Sequence, residues 1–223
     1  MTKKNYHHGQ LRSALIQTAT EMIAQGGLAD LTMRSLGQRL GVSRTAPYRH
    51  FADKTALLCA VAATGFDQLT GSYQRITRDV SLDGPTRLKK IGMAYVEFAL
   101  KNRGAYRLMF GHEITRHDRT PELLAAAERT FSEFLKAVTD FKDDLDLAGD
   151  QVNLVAITAW STVHGLATLL IDGQINVADD SSGRPTLLAG GAGRGREDIQ
   201  KLIDYAMKTL DDFWTMVSDR YRR

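Results

Sequence analysis

The segment LTMRSLGQRLGVSRTAPYRHFADKTAL (31–57) constrains this chain more than any other. Thr32, Ser43 and Asp53 each stand where a helix can begin, and Gly41 stands where one can end. A Thr, Ser or Asp side chain at such a position accepts a hydrogen bond from an open N–H of the first turn. A glycine just past the last turn takes the left-handed conformation that closes a helix. The spacing therefore predicts a short helix opened by Thr32, a turn at Gly41-Val42, a second short helix opened by Ser43, and a longer one opened by Asp53. Leu31 before the first cap and Leu36 after it are placed to staple that helix end. Upstream, Leu11, Leu15, Ala19, Met22 and Ile23 recur at helical spacing over about Gln10–Gln25, with Gly26-Gly27 as a stop. Three short helices, the last two joined by a tight turn, are the outline of a helix-turn-helix.

Pro47 is the awkward residue, since a proline in a helix interior costs about 3 kcal/mol. With Ser43 as cap, Arg44, Thr45 and Ala46 fill the first three positions and Pro47 the fourth, where only one intrahelical bond is forfeited. On that register the ring faces inward against Val42, while Arg44, Thr45, Tyr48 and Arg49 face outward.

Charge supports a polyanionic partner for this end of the chain. Residues 1–54 hold eight Lys or Arg against three acids, whereas the rest holds 21 against 23. A basic first quarter on a faintly acidic body fits nucleic acid. Arg can bind guanine bidentately, Thr and Tyr can reach bases or phosphates, and Lys54 at the next helix N-terminus can hold a phosphate.

Beyond residue 55 the pattern stays helical. The helix from Asp53 runs to about Arg78, with Leu57, Leu58, Val61, Phe66 and Leu69 on its apolar side. Pro85 opens a helix to about Asn102, GAYRLMFGHE forms a shorter one, and Pro121 opens another past Phe141. An apolar helix covers about 150–172 and a last amphipathic helix about 197–220. Between them, about 174–196 is Gly- and Ser-rich and reads as a flexible loop. The expected fold is all-α: an N-terminal helix-turn-helix domain (1–54) and a helical-bundle domain (55–223), about nine helices in all. The apolar stretch 154–171 contains Thr158, Ser161, Thr162, His164 and Thr168, which suits a helix buried in protein better than a membrane span. The N-terminus lacks an apolar stretch of signal-peptide length. The single cysteine, Cys59, excludes an intramolecular disulfide and a Cys-based zinc cluster and fits a cytoplasmic setting. His7-His8 lack the i, i+4 spacing of two ligands on one helix face, so no metal and no cofactor is expected. No nucleophile elbow, phosphate-binding glycine loop or HExxH motif occurs, so no enzyme is expected.

These residues resemble the DNA-binding region of the TetR family of bacterial transcriptional regulators. The resemblance covers roughly residues 8–62 and rests on Leu31-Thr32, Leu40-Gly41-Val42-Ser43, Tyr48, His50-Phe51 and Asp53-Lys54. It implies that Arg34 reaches a base, with Thr32 and Met33 beside it. It also implies that Arg44, Thr45, Ala46, Tyr48 and Arg49 lie in or along the major groove. Tyr48, His50 and Lys54 would clamp the phosphate backbone, and Lys3 and Lys4 would form an arm on DNA. In many members of the family an inward Leu or Ile stands where this chain has Pro47. The body is similar to a subgroup named for a Trp-His-Gly signature, here Trp160, His164 and Gly165, with AYRLMFG (105–111) and YHHGQLR (6–12).

The resemblance implies a homodimer through helices about 150–172 and 197–220, double-stranded operator DNA as partner and a small-molecule effector. A pocket for that effector would draw on Tyr95, Phe98, Tyr106, Met109, Phe110, Phe131, Phe134, Trp160 and His164, although stripes at helical spacing also build plain core. His164 in particular reads first as a core histidine with a satisfied hydrogen bond and only second as a ligand contact. The functional expectation is a ligand-responsive repressor that binds a palindromic operator as a dimer. The alternative is a helical small-molecule-binding protein or enzyme with a basic docking surface.

Overall fold

The computed structural model describes residues 8–144, 152–176 and 186–187, together with positions 201, 204–206, 208, 209 and 212. Seven α-helices lie among them: α1 His8–Gly26, α2 Met33–Arg39, α3 Lys54–Thr77, α4 Gly84–Lys101, α5 Arg103–Phe110, α6 Pro121–Asp144 and α7 Val152–Ile171. Two single turns of 3-10 helix, Pro47–Arg49 and Arg116–Asp118, lie between them. The chain is all-α, as its periodicity predicts. Inside the expected loop, Ile175–Asn176 pairs antiparallel with Thr186–Leu187. The described positions from 201 to 212 are helical, but most of the expected last helix lies outside the described residues, as do Lys3, Lys4 and His7.

The chain divides into two compact units, Met1–Gln68 with Asn102–Arg129, and Leu69–Lys101 with Thr130–Arg223. In the first unit α1 turns Leu15, Ala19 and Ile23 inward, and α3 buries Leu57, Leu58, Val61 and Phe66. A side chain on Gly104 would come within 2.6 Å of Ile23 Cγ2, so α5 can lie this close to α1 only without one. The Phe66 and Phe110 rings meet edge to face with centroids 5.4 Å apart. Thus the helix-turn-helix segment shares its core with α5 and the start of α6, which lie far beyond it in the sequence.

In the second unit α4 packs along α7. Leu88, Ile91, Tyr95, Val96 and Ala99 are buried on α4, and Val155, Ala156, Ala159, Val163, Ala167 and Leu170 on α7. Asp83 caps α4 by accepting from the Thr86 N–H at 2.8 Å. Arg87 ties the α3–α4 turn to α6: its guanidinium donates to the Asp79 carbonyl, the Leu82 carbonyl and the Asp140 carboxylate. Glu133 on α6 is buried, yet it accepts from Lys136 at 2.7 Å and from Thr77 at 3.1 Å. Burial pushes its carboxyl up, but hydrogen bonds from Lys136, Thr77 and Gln74 outweigh it and hold the group below the usual carboxylate range.

α7 is long and apolar enough to cross a membrane, with a mean hydropathy of 1.7. One side of it is occupied by α4, while Leu154, Ile157, Trp160 and Leu169 are exposed.

Candidate nucleic-acid interface

Local bonds build the first half of the helix-turn-helix as its sequence predicts. Thr32 caps α2: its hydroxyl accepts from the Ser35 N–H, and the Ser35 hydroxyl accepts from the Thr32 N–H, each at 2.9 Å. Leu31 and Leu36 on either side of this cap are fully buried. Gly41 has φ +68°, which a residue with a side chain adopts only at a cost, and there the chain leaves α2. The Val42 N–H returns to the Gly37 carbonyl at 3.0 Å and closes the turn. At the far end the Asp53 carboxylate accepts from the Ala56 N–H at 2.8 Å and caps α3.

The reading element between these caps differs from its expected form. It is a set of tight turns from Ser43 to His50, with one turn of 3-10 helix at Pro47–Arg49, rather than an α-helix capped by Ser43. The Ser43 carbonyl takes the Ala46 N–H at 3.0 Å, the Ala46 carbonyl takes Arg49 and the Pro47 carbonyl takes His50. Each of these bonds spans three residues instead of four. Proline explains the change, because the residue four places after Ser43 has no N–H to give its carbonyl. Pro47 therefore stands near the start of a 3-10 turn, not at the fourth position of an α-helix. Its ring does face inward as expected: it is buried, with Cγ 3.5 Å from where a side chain on Gly37 would begin. The Ser43 hydroxyl lies 3.3 Å from that of Thr45.

The cationic side chains fall into two groups. Arg34, Arg44 and Arg49 are exposed and make no hydrogen bond or ion pair among the described residues, and Tyr48 is 56% exposed. The others are held. Lys54 Nζ donates to the Leu28 carbonyl at 2.9 Å, which uses one of its three donors. Arg39 donates to Gln25 at 2.7 Å. Arg12 pairs with Glu122 at 2.6 Å and lies over the Phe51 ring, 5.3 Å from its centroid. Neither Arg12 nor Arg39 stands out in the sequence, since Gln25 and Glu122 share no motif with them. Thr32 and Thr45 are exposed and His50 is half-buried, whereas Met33 and Ala46 are buried and present no side chain to a groove.

The aromatic residues of the body separate into clusters. Tyr95 Oη lies 2.7 Å from His164 Nδ1, and the Trp160 ring lies 5.8 Å from that imidazole. Burial holds His164 below its ordinary pKa. Phe131 and Phe134 sit 6.1 Å apart, the former 47% exposed and the latter buried. Phe98 is buried in the same unit. Tyr106, Met109 and Phe110 belong to the other unit, where the Tyr106 and Phe110 rings are 5.1 Å apart. Among the described residues no group of three or more His, Cys, Asp or Glu is placed to hold a metal ion.

Comparison with known proteins gives this geometry its context. Residues 15–61 match the family described as bacterial regulatory proteins, tetR family, and residues 88–185 match the tetracyclin repressor-like C-terminal domain. The nucleoid occlusion factor SlmA of Edwardsiella ictaluri is 30% identical over 115 residues, 51% of this chain and 58% of that protein. The class C tetracycline repressor protein of Escherichia coli is 49% identical over 51 residues, 23% of each chain. A solved structure of a Rhodococcus protein of unknown function superposes with a TM-score of 0.73 at 28% identity. That superposition covers 93% of this chain and 97% of the other. The two family matches together span more than half of the sequence and describe regulators rather than enzymes. The chain therefore belongs to the tetR family and has the fold of a DNA-binding transcriptional regulator.

Proposed function

We propose that this protein is a ligand-responsive repressor that binds a roughly palindromic operator as a homodimer. The observation that carries the reading is the sorting of cations in the helix-turn-helix. Arg34, Arg44 and Arg49 stand open beside Tyr48 and Thr45, while Arg12, Arg39 and Lys54 are bonded into the scaffold. Open guanidinium groups at the start of α2 and on the turns that follow it suit guanine edges and phosphates in a major groove. In this division of labour residues 1–54 read DNA, and residues 55–223 bind the effector and dimerise.

The dimer reading rests on α7, where Leu154, Ile157 and Trp160 recur every three residues on the side away from α4. A second copy, together with the helix expected at 197–220, would cover that stripe and repeat the reading surface about a two-fold axis. The effector reading rests on the body of the Trp-His-Gly kind, where Tyr95, His164 and Trp160 combine polar and aromatic groups at one place. An effector acts there only through different affinities for the DNA-competent and incompetent dimers. A DNA-binding regulator of this kind works in the cytoplasm.

The test is selection from a random duplex library, followed by anisotropy titration of the selected duplex. The expected site has inverted half-sites about one helical turn, 10–10.5 base pairs, apart. Transcription from a promoter overlapping that site should fall when the protein is expressed, and a rise would overturn repression.

A further inference from the structure

We infer that Arg116, His117 and Arg119, which lie outside the helix-turn-helix in sequence, form a second contact with the DNA backbone beside it. This rests on the DNA-binding reading above and adds a site to it. All three side chains are exposed and make no hydrogen bond or ion pair among the described residues, as in Arg34, Arg44 and Arg49. The backbone that carries them is fixed. Ile114 just before the turn is buried, and Thr115 Oγ1 donates to Asp118 at 2.6 Å.

Two stitches hold this turn against the reading unit. Cys59 donates to the Asp118 carbonyl at 3.3 Å, and Cys59 lies five residues, about 7.5 Å, along α3 from Lys54. Three residues after Arg119, Glu122 pairs with Arg12, and Arg12 covers Phe51. The Phe51 N–H is itself bonded to the Pro47 carbonyl of the reading turn. The turn is thus packed into the same compact unit as the reading element, next to the start of α3 and Phe51.

Nearby acids make no ion pair with it among the described residues. Glu122 is paired with Arg12, and Asp118, which accepts from Thr115 and keeps its charge, lies with Glu113 outside ion-pair distance of both guanidinium groups. Two guanidinium groups and a ring N–H, with no base-reading scaffold of their own, suit phosphate oxygens rather than base edges.

The test is the salt dependence of binding to the duplex selected by the wild-type protein, extended by ten base pairs on each side. For every phosphate that a variant no longer neutralises, the slope of log K against log salt should become shallower by about 0.9. Arg116→Ala/Arg119→Ala removes two contacts from each protomer, four from the dimer, and is expected to shallow it by about 3.6, with its circular dichroism unchanged. Arg116→Lys/Arg119→Lys should keep the wild-type slope, because Lys also binds phosphate. As a charge-matched control, Arg75→Ala/Arg78→Ala, at and just past the other end of α3, should leave it unchanged. A wild-type slope in the Ala pair would overturn the inference while the DNA-binding reading stands. A Lys pair that behaves like the Ala pair, or a control that shallows equally, would overturn it as well. Failure of the wild-type protein to select any duplex would overturn the reading beneath it, and the inference with it.

Discussion

The helix-turn-helix and the α4–α7 body use their polar and aromatic side chains in opposite ways. In the first, the cations divide sharply: Lys54, Arg39 and Arg12 are closed into bonds, and Arg34, Arg44 and Arg49 are open. In the second, most of the conspicuous groups are closed. Tyr95 is bonded to His164, and Phe98 and Phe134 are buried, while Trp160 and Phe131 reach the surface. The difference teaches how a site is recognised. An open guanidinium among bonded ones keeps all its donors available to an anion. An aromatic ring carries no such mark, since a cavity wall and a packed core surround it with the same kinds of atoms.

Four substitutions would break or sharpen that contrast. The largest effect is expected for Leu36→Ala, fully buried under the α2 cap, which should destabilise by about 2–5 kcal/mol and lose DNA binding with the fold. Denaturant unfolding measures it, and an unchanged midpoint would mean the reading segment does not rest on this core. Next comes Arg44→Ala, expected to weaken binding to the selected duplex by about 1–3 kcal/mol while leaving the melting temperature alone. A clear drop in melting temperature would move Arg44 from the open group to the scaffold. Thr32→Ala should show the reverse on the stability side, a loss of about 1 kcal/mol from the missing cap.

The smallest effect concerns the body. Because burial lowers the His164 pKa below 6.5, the unfolded chain binds that proton more readily than the folded one. Its contribution is unaffected well above pH 6.5 and becomes destabilising as pH falls through 6.5 toward the folded value. Between pH 7.5 and 5.5 the wild-type melting temperature should therefore fall more steeply than that of His164→Gln. Parallel curves would show that the Tyr95–His164 contact leaves the imidazole as free to charge as in water.

How legible all this was in the chain depended on distance along it. The caps at Thr32 and Asp53 act over three residues, so their residue types alone announced them. Ser43 has the right residue type as well, but Pro47 four positions on lacks the N–H that an α-helix needs, and tight turns form instead. The inward face of Pro47 was readable, whereas the helix type it enforces was not. Met33 and Ala46 look like groove residues beside Arg34 and Arg44, yet tertiary packing buries them. The Arg12–Glu122 pair joins residues 110 apart and the Cys59–Asp118 bond residues 59 apart, so no local pattern records either. The aromatic residues suffer the same limit: Tyr106 and Tyr95 look alike in sequence but lie in different compact units.

The most direct measurement compares the wild-type protein with Arg34→Ala/Arg44→Ala/Arg49→Ala in parallel selections from one random duplex library. Both proteins should fold alike, because these three side chains make no bonds among the described residues. The expected result is an inverted-repeat motif for the wild type and no motif for the triple variant. The same motif from both proteins, or none from the wild type, would contradict the assignment of these arginines as the groups that read DNA.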